Sequence, residues 1–425
     1  MRFNLKLLLL PASYPQQGAE WAGAQNERSA RALQRLVDHV EVVCPRPYAP
    51  RFLALSDRWR PFTIAPAFEV RGGIRVHRPA YPVAPKLFQP FWPNRAAVPF
   101  CRRTVSALHR DIGFDAILSF DLARTGGLAW RLGRAIGIPA CGWATGSDMR
   151  HASRSAAGRS LRGALRSLDL VFYQSRELRT LAAQLQGVGP ESLSDEHHIV
   201  QPRGVEAPEK LPGDDTRFAI RSSLGLSDGQ VVILYLGRIV RGKGLFELVD
   251  GFVQWGWAHH DVTLLLVGSR TGHDDAPALE KVIASSPSMA DRIRVLPGCE
   301  PRRIWDYLAA ADIFAFPSFK EGMPNSLLEA MLAGIPAVAF SIPPVGEIGR
   351  FGGGLLQVPP YDFAKFGEAL LALVKDPMLR RDIGERGRVV ASEHFSLRKN
   401  TQLVVEHIAS LVARVGAAGP ESRRE

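Results

Sequence analysis

Ile313-Phe-Ala-Phe-Pro317-Ser318-Phe-Lys-Glu321-Gly322-Met323-Pro324-Asn325-Ser326-Leu-Leu-Glu329-Ala330-Met331 runs from a short apolar strand, through a polar loop, into an apolar helix. A strand apolar on every position is buried on both faces. Followed directly by a helix, it is the repeating unit of a parallel sheet covered on both sides. Working outward, the same unit recurs. Upstream lie strands Val231–Leu236, Thr263–Val267 and Ile293–Leu296, with helices Leu245–Trp257 and Ile304–Ala311. Downstream lie helix Ser326–Ala333, strand Ala337–Phe340 and helices Asp362–Val374, Met378–Ser392 and Ser396–Val415.

The first half carries the same rhythm. Strands are expected at Leu5–Leu10, Val40–Cys44, Ala116–Ser119, Ala140–Trp143, Leu170–Tyr173 and His198–Gln201. Helices are expected at Glu20–Leu36, Arg95–Arg110, Gly126–Ala135, Gly158–Ser167 and Ser175–Leu185. Pro202, Pro208, Pro212 and Gly213 punctuate Gln201–Asp215, which reads as a linker. The fold class is therefore α/β, two doubly wound parallel-sheet, Rossmann-like domains facing a cleft. The expected domains are residues 1–205 and 206–395, with the last helix, about 396–415, packing back on the first domain.

Composition sets the class. The 425 residues are 46% hydrophobic and 22% charged, an ordinary globular mix that excludes general disorder. Four scattered cysteines exclude a disulfide scaffold or zinc cluster and fit a reduced setting. No apolar run reaches the roughly 18 residues of a membrane span. Leu7–Leu10 stops at Pro11 without a cleavage site and reads as a strand, not a signal peptide. His197-His198 and His259-His260 lack carboxylate or cysteine company and read as surface pairs. Net charge is +11, and it is one-sided. Residues 1–210 hold 29 basic and 17 acidic residues, a balance of +12; residues 211–425 hold 24 and 25. The first domain should therefore meet an anionic partner: a phosphate-bearing acceptor or an anionic membrane surface. No nucleic-acid recognition motif accompanies the charge, and no Gly-x-Gly-x-x-Gly follows a strand, which argues against a dehydrogenase.

In doubly wound sheets, ligands bind beyond the carboxyl ends of the strands. Two such loops stand out. Gly-Arg-Ile-Val-Arg-Gly-Lys-Gly, residues 237–244, sets Arg238 and Lys243 at a strand-to-helix turn, where fixed cations and a helix N-terminus suit a phosphate. In the second loop Glu321 and Glu329 are eight residues apart. The backbone N–H groups near Asn325 and Ser326 begin the helix and lack intrahelical acceptors. A glutamate inside so apolar a helix makes sense if it accepts hydrogen bonds from ligand hydroxyls.

Gly-Arg-x4-Lys-Gly, followed about 80 residues later by Glu-Gly-x-Pro-x4-Glu-Ala-Met, is similar to the retaining, nucleotide-sugar-dependent glycosyltransferases of the GT-B fold, family four. Leu264–Gly268, Leu308–Ser318, Gly334-Ile-Pro336 and Gly346-Glu347-Ile348 follow the family's order. Pro15–Gln25, Gly146-Ser147-Asp148, Ser175 and Gly204-Val205 extend the resemblance to the first half, and the Gly18…Gln25 arrangement looks most like members that build surface polysaccharides. The resemblance implies that Arg238, Lys243 and Glu321 act on the donor diphosphate and sugar. It implies that Glu329 binds the ribose hydroxyls, that Gly18, Gly322, Met323, Pro324, Asn325 and Ser326 line the donor, and that Glu300 lies near the nucleobase. The expected donor is a nucleotide-diphosphate sugar and the expected acceptor a lipid-linked or polysaccharide glycan. No cofactor is implied. No metal is expected either, since no Asp-x-Asp occurs and the cations take that role. The expected location is cytoplasmic, peripheral at the inner face of the membrane.

The chain departs from the family on the acceptor side. Histidines often found at the positions of Thr145 and near Phe120 are absent, which leaves Asp148 and Asp121 as acceptor-side candidates. Arg203-Gly-Val-Glu206 replaces Asn-Gly-Val-Asp at the domain joint, which reads as a neutral change. Arg159, Arg162 and Arg166 share one helical face, and Phe88, Phe91 and Trp92 stand among prolines before Arg95. Two alternatives stay open: a nucleotide-sugar epimerase of the same fold, and a non-catalytic nucleotide-binding homologue.

Overall fold

The computed structural model describes residues 2–17, 19–55, 59–82, 95–146, 149–150, 157–255, 257, 261–268, 275–286 and 291–418. It divides into two units. Unit 1 comprises Met1–Arg203 with Leu397–Glu425, and unit 2 comprises Gly204–Ser396.

Unit 1 holds β1 (Phe3–Pro11), α1 (Ala24–Gln34), β2 (Val37–Val43), β3 (Arg46–Pro47), α2 (Arg60–Ile64), β4 (Phe68–Arg71), β5 (Ile74–His77) and β6 (Ala80–Tyr81). It continues with α3 (Val98–Ile112), β7 (Ala116–Phe120), α4 (Gly127–Ile136), β8 (Ala140–Ala144), α5 (Ala157–Ser167), β9 (Leu170–Tyr173), α6 (Arg176–Gln186) and β10 (His198–Val200). The main sheet runs β10-β9-β8-β7-β1-β2-β5-β4. Every pairing in it is parallel except β4 with β5, an antiparallel hairpin around Gly72-Gly73 at the edge. That hairpin adds an antiparallel edge to the all-parallel sheet expected of this half.

Unit 2 holds α7 (Asp214–Ser223), β11 (Val231–Leu236), α8 (Leu245–Gln254), β12 (Val262–Gly268), α9 (Ala276–Ala284), β13 (Ile293–Pro297), α10 (Ile304–Ala310) and β14 (Ile313–Phe316). There follow α11 (Asn325–Leu332), β15 (Ala337–Phe340), α12 (Pro343–Gly349), β16 (Leu356–Val358), α13 (Phe363–Lys375) and α14 (Pro377–His394). Its six strands run β13-β12-β11-β14-β15-β16, all parallel. β11, β12, β14 and β15 are buried almost throughout, as strands sandwiched between helices must be.

The expected linker ends early, because α7 already begins at Asp214. Burial explains it. Arg221 is 1% exposed and donates to the Ala310 carbonyl at 3.0 Å and to Asp312 Oδ2 at 3.2 Å. Arg217 pairs with Asp312 Oδ1 at 2.7 Å, and Asp312 Oδ2 accepts the Val232 N–H at 2.8 Å. One carboxylate therefore ties α7 to the feet of β11 and β14.

The last helix, α15 (Leu397–Ala418), returns to unit 1. Its Val404, Val405, Ile408 and Leu411 enter the core formed with Leu7, Leu9, Ala30 and Leu33 from β1 and α1. Among the described residues no helix is long and apolar enough to cross a membrane.

Toward the edge of the unit 1 sheet, Glu41 is fully buried on β2. Burial alone would raise its pKa. Hydrogen bonds from His77 (2.6 Å), Arg75 (2.9 Å) and His39 (2.8 Å) outweigh burial and hold the carboxyl below its ordinary value. His198 is also not a plain surface residue. Its Nδ1 lies 2.8 Å from Tyr173 Oη, and burial, with the charges of Arg179 and His197, pushes its pKa down to about 4.

Candidate functional site

In unit 2 the strand order reverses between β11 and β14, the first strand lying between strands reached in opposite directions. Loops that leave such neighbours diverge and open a crevice at their carboxyl ends. Both sequence motifs end there.

β11 delivers Gly237 and Arg238. Tyr235, fully buried beneath them, donates its hydroxyl to the Arg238 carbonyl at 2.9 Å and so fixes the turn. Burial, reinforced by the negative charge of Glu321, drives the Tyr235 phenol far above its ordinary value, so it remains a donor. Arg238 itself is exposed and has no ion-pair partner among the described residues. A short helical turn, Arg241–Lys243, follows, with the Arg241 guanidinium 4.1 Å from the centroid of Phe246. Gly244 then opens α8 at φ 70°, and a Cβ there would collide with the Pro317 carbonyl oxygen. Glycine is required on both counts.

From the neighbouring strand, β14 delivers Ser318 and Glu321. Glu321 Oε1 is ion-paired with Lys243 Nζ and also accepts the Ser318 hydroxyl at 2.7 Å. The two motifs, 78 residues apart in sequence, therefore meet in one ion pair across the crevice. Lys243 and Glu321 are 17% and 15% exposed at the side chain, so the pair is partly dehydrated yet reachable from solvent. α11 starts at Asn325 after Pro324, with no side-chain cap. Its first N–H groups are unused within the helix, and Asn325 Oδ1 is buried without a hydrogen-bond partner among the described residues. Glu329, one turn on, is 6% exposed in that helix. Gly322 and Pro324 shape the loop before α11, and the Met323 side chain enters the core.

The structure thus gathers Arg238, Lys243, Glu321, Asn325, Ser326 and Glu329 around one strand pair. Glu300 is not among them. It is exposed after β13, the edge strand, two strands from β11. Ser318 and Tyr235 are additions. The signal for Ser318 is a polar residue just after a wholly apolar strand, and for Tyr235 a hydroxyl within one. Cations from the turn after β11, with carboxylates and a helix N-terminus from the loop after β14, can hold a diphosphate and a polyhydroxy group together.

Unit 1 has a matching reversal between β1 and β7. Asp121 leaves β7 at φ 86°, a strained backbone for a residue with a Cβ. Its Oδ1 accepts the Arg124 N–H at 3.1 Å, and its Oδ2 lies 2.9 Å from Arg124 Nε. The carboxylate is thus held by the turn it caps. Gly18 and Asp148 lie outside the described residues, as do Phe88, Phe91, Trp92 and His259-His260. Arg203 is no neutral change. It is 2% exposed, stacks 4.6 Å from the centroid of Phe120 and 5.2 Å from that of Trp143, and donates to Asn26 Oδ1 at 2.9 Å. Among the described residues no group of three or more His, Cys, Asp or Glu side chains could hold a metal ion.

Comparison with known proteins supplies context. Residues 216–390 match the family described as Glycosyl transferases group 1, and residues 22–194 match the Glycosyl transferase 4-like domain. The chain is 26% identical over 405 residues to a Bacillus subtilis (strain 168) protein that carries the name teichuronic acid biosynthesis glycosyltransferase TuaC, covering 94% of this chain and 96% of that protein. It is 31% identical to D-inositol 3-phosphate glycosyltransferase 1 of Catenulispora acidiphila over 214 residues, 49% of each chain. Among solved structures, sucrose-phosphate synthase from Thermosynechococcus elongatus matches with TM-score 0.74 and 21% identity, covering 96% of this chain and 100% of that one. Anabaena Alr3699/HepE, solved in complex with UDP-glucose, matches with TM-score 0.70 and 19% identity over 96% and 100%. At those identities the likeness establishes the fold, GT-B.

Proposed function

The chain belongs to the Glycosyl transferases group 1 and is a glycosyltransferase, and from that premise we propose that it moves a sugar, with retention of anomeric configuration and without a divalent metal, from a nucleotide-diphosphate sugar to a lipid-linked or cell-surface glycan. The observation that carries this reading is the Lys243–Glu321 pair, closed across the strand reversal of unit 2 beside the start of α11.

In this reading Arg238, Lys243 and the N–H groups of Asn325 and Ser326 receive the diphosphate. As the glycosidic bond breaks, negative charge grows on the leaving phosphate, and these fixed donors stabilise it without reorganising. Glu321 holds the Lys243 ammonium in place with one oxygen and takes a sugar hydroxyl with the carboxylate's remaining capacity. Ser318 keeps Glu321 oriented, and Tyr235 holds the Arg238 turn. Glu329 accepts ribose hydroxyls. Asp121 or Asp148 would orient the acceptor. Arg238 and Lys243 supply the positive charge that a metal supplies elsewhere, which supports transfer without one. The Anabaena relative holding UDP-glucose supports a nucleoside-diphosphate donor, and the TuaC match supports a surface-polymer acceptor. The positive first half supports an anionic or membrane-borne acceptor, and with it peripheral placement at the inner face of the membrane.

The test is transfer from radiolabelled nucleotide sugars to lipid-linked acceptors in the presence of EDTA. Retained activity that is lost in Lys243→Ala and Glu321→Ala supports the reading. Transfer untouched by both substitutions, in folded protein, overturns it.

A further inference from the structure

Two strands from β14, the chain leaves β16 through a strained turn. β16 ends at Val358, and α13 begins at Phe363 with Asp362 as its cap, whose Oδ1 accepts the Lys365 N–H at 3.0 Å. Tyr361, in that turn, has φ 68°. A β-carbon is disfavoured at such an angle, whereas glycine adopts it freely. Among the described residues Asp121 and Tyr361 alone carry a side chain at positive φ, and the Asp121 carboxylate caps its own turn. Core burial does not account for the tyrosine, because it is 68% exposed. Its ring is nonetheless placed. It stacks on Phe319 with 4.5 Å between centroids and 17° between planes. Phe319 stacks in turn on Phe340 of β15, at 5.8 Å and 14°, and meets Phe363 of α13 edge-on at 6.1 Å. Phe340 is fully buried, so the ladder of rings is anchored in the core and Tyr361 is its outermost rung. Phe319 follows Ser318 and precedes Glu321 by two positions. The rings therefore grip the loop whose carboxylate pairs with Lys243.

Backbone strain persists where the surroundings over-determine it, and it gathers at functional sites. We propose that Tyr361 is a positioning residue of the transfer reaction: its ring closes the stack over Phe319 and so fixes the loop that presents Glu321 to the donor sugar. The role in transfer rests on the donor reading of Glu321, whereas the hold on the loop does not. Near-parallel rings at that separation attract one another beyond the area they bury. The stack needs the ring and not the hydroxyl, so phenylalanine should serve at 361. Glycine suits the backbone better and should not serve, which separates the fit of the turn from the function of the ring.

Full-length protein carrying Tyr361→Gly, Tyr361→Phe or Phe319→Leu is compared with the parent. Hydrogen exchange read by mass spectrometry reports on the loop without any need for activity. Tyr361→Gly and Phe319→Leu should speed amide exchange in residues 318–322 by about two- to tenfold, with β11 unchanged, and Tyr361→Phe should match the parent. The denaturation midpoint of Tyr361→Gly should stay near that of the parent. In transfer, kcat should fall by about the same factor in Tyr361→Gly and return in Tyr361→Phe. In a Glu321→Gln background, Tyr361→Gly should change the residual rate no further, because the ring acts through that carboxylate. Loop exchange unchanged by both Tyr361→Gly and Phe319→Leu overturns the proposal, whatever the donor reading. So does a parent-level kcat in Tyr361→Gly where Glu321→Ala abolishes transfer, and so does an equal loss with and without Glu321, which would make the ring a general support of the fold. Transfer indifferent to Glu321→Ala overturns the donor reading and the role in transfer with it, while loop exchange still shows whether the ring holds the loop.

Discussion

The two strand reversals make opposite use of the same topology. In unit 2, at β11 and β14, the crevice residues come from short turns between regular elements, and the donated side chains, Lys243, Ser318 and Glu321, meet one another directly. In unit 1, at β1 and β7, the residue at the reversal is Asp121, on strained backbone and engaged by its own turn. Beside it Arg203 is buried between aromatic rings. A group common to all donors can be met by a fixed cradle of turn residues and helix ends. On the proposed function the acceptor is left to unit 1.

The largest expected effect tests the regular side. Lys243→Ala should lower the transfer rate by roughly 10²–10³-fold, about 2.7–4 kcal/mol, with the melting temperature nearly unchanged. A loss below tenfold would place the essential cation elsewhere. Gly244→Ala acts on the same turn through the backbone. It forces a Cβ against the Pro317 carbonyl at positive φ and should cost about 1–3 kcal/mol of stability in denaturant titration. Unchanged stability would mean the α8 start is not held as described.

Glu41 sharpens the contrast from unit 1, since it lies outside both reversals. Its folded pKa lies below the ordinary carboxylate value, so its stabilisation is present above about pH 4.5 and is lost as pH falls through the folded pKa. Glu41→Gln should cost about 1–3 kcal/mol at neutral pH and flatten the acid limb of the stability curve, without touching donor binding. An acid limb identical to that of the parent protein would refute this role. The smallest effect is expected at Ser318→Ala, which removes one hydroxyl donor to a carboxylate: about 1.5 kcal/mol or less in transition-state stabilisation, read in kcat/KM. No change would show that Ser318 does not orient Glu321.

The same contrast governs what the amino-acid sequence discloses. Val231–Leu236 and Ile313–Phe316 are continuous apolar runs, and the cation and carboxylate motifs that follow them stand in the turns where ligands bind, so unit 2 can be read almost element by element. β16 and α12 are too short and mixed to show. α7 is hidden because proline and glycine punctuate the chain up to Gly213, and because its anchor, Arg221, reads as a surface charge until Asp312 is seen to face it. The hairpin of β4 and β5 has its own pattern, alternating apolar and charged residues about Gly72-Gly73, masked by the strand–helix rhythm around it. Arg203 could not be foreseen, since a buried cation between rings depends on three separated segments.

The central claim is that the β11–β14 reversal is the donor site, and nucleotide binding tests it most directly. Thermal unfolding of the protein in EDTA should be followed with UDP, GDP and ADP and their sugar conjugates. One nucleotide, at about 100 times its dissociation constant, should add roughly 2.7 kcal/mol of stability, and both Glu329→Gln and Lys243→Ala should reduce that gain. No stabilisation by any of them, or a gain that both variants retain in full, would contradict the account.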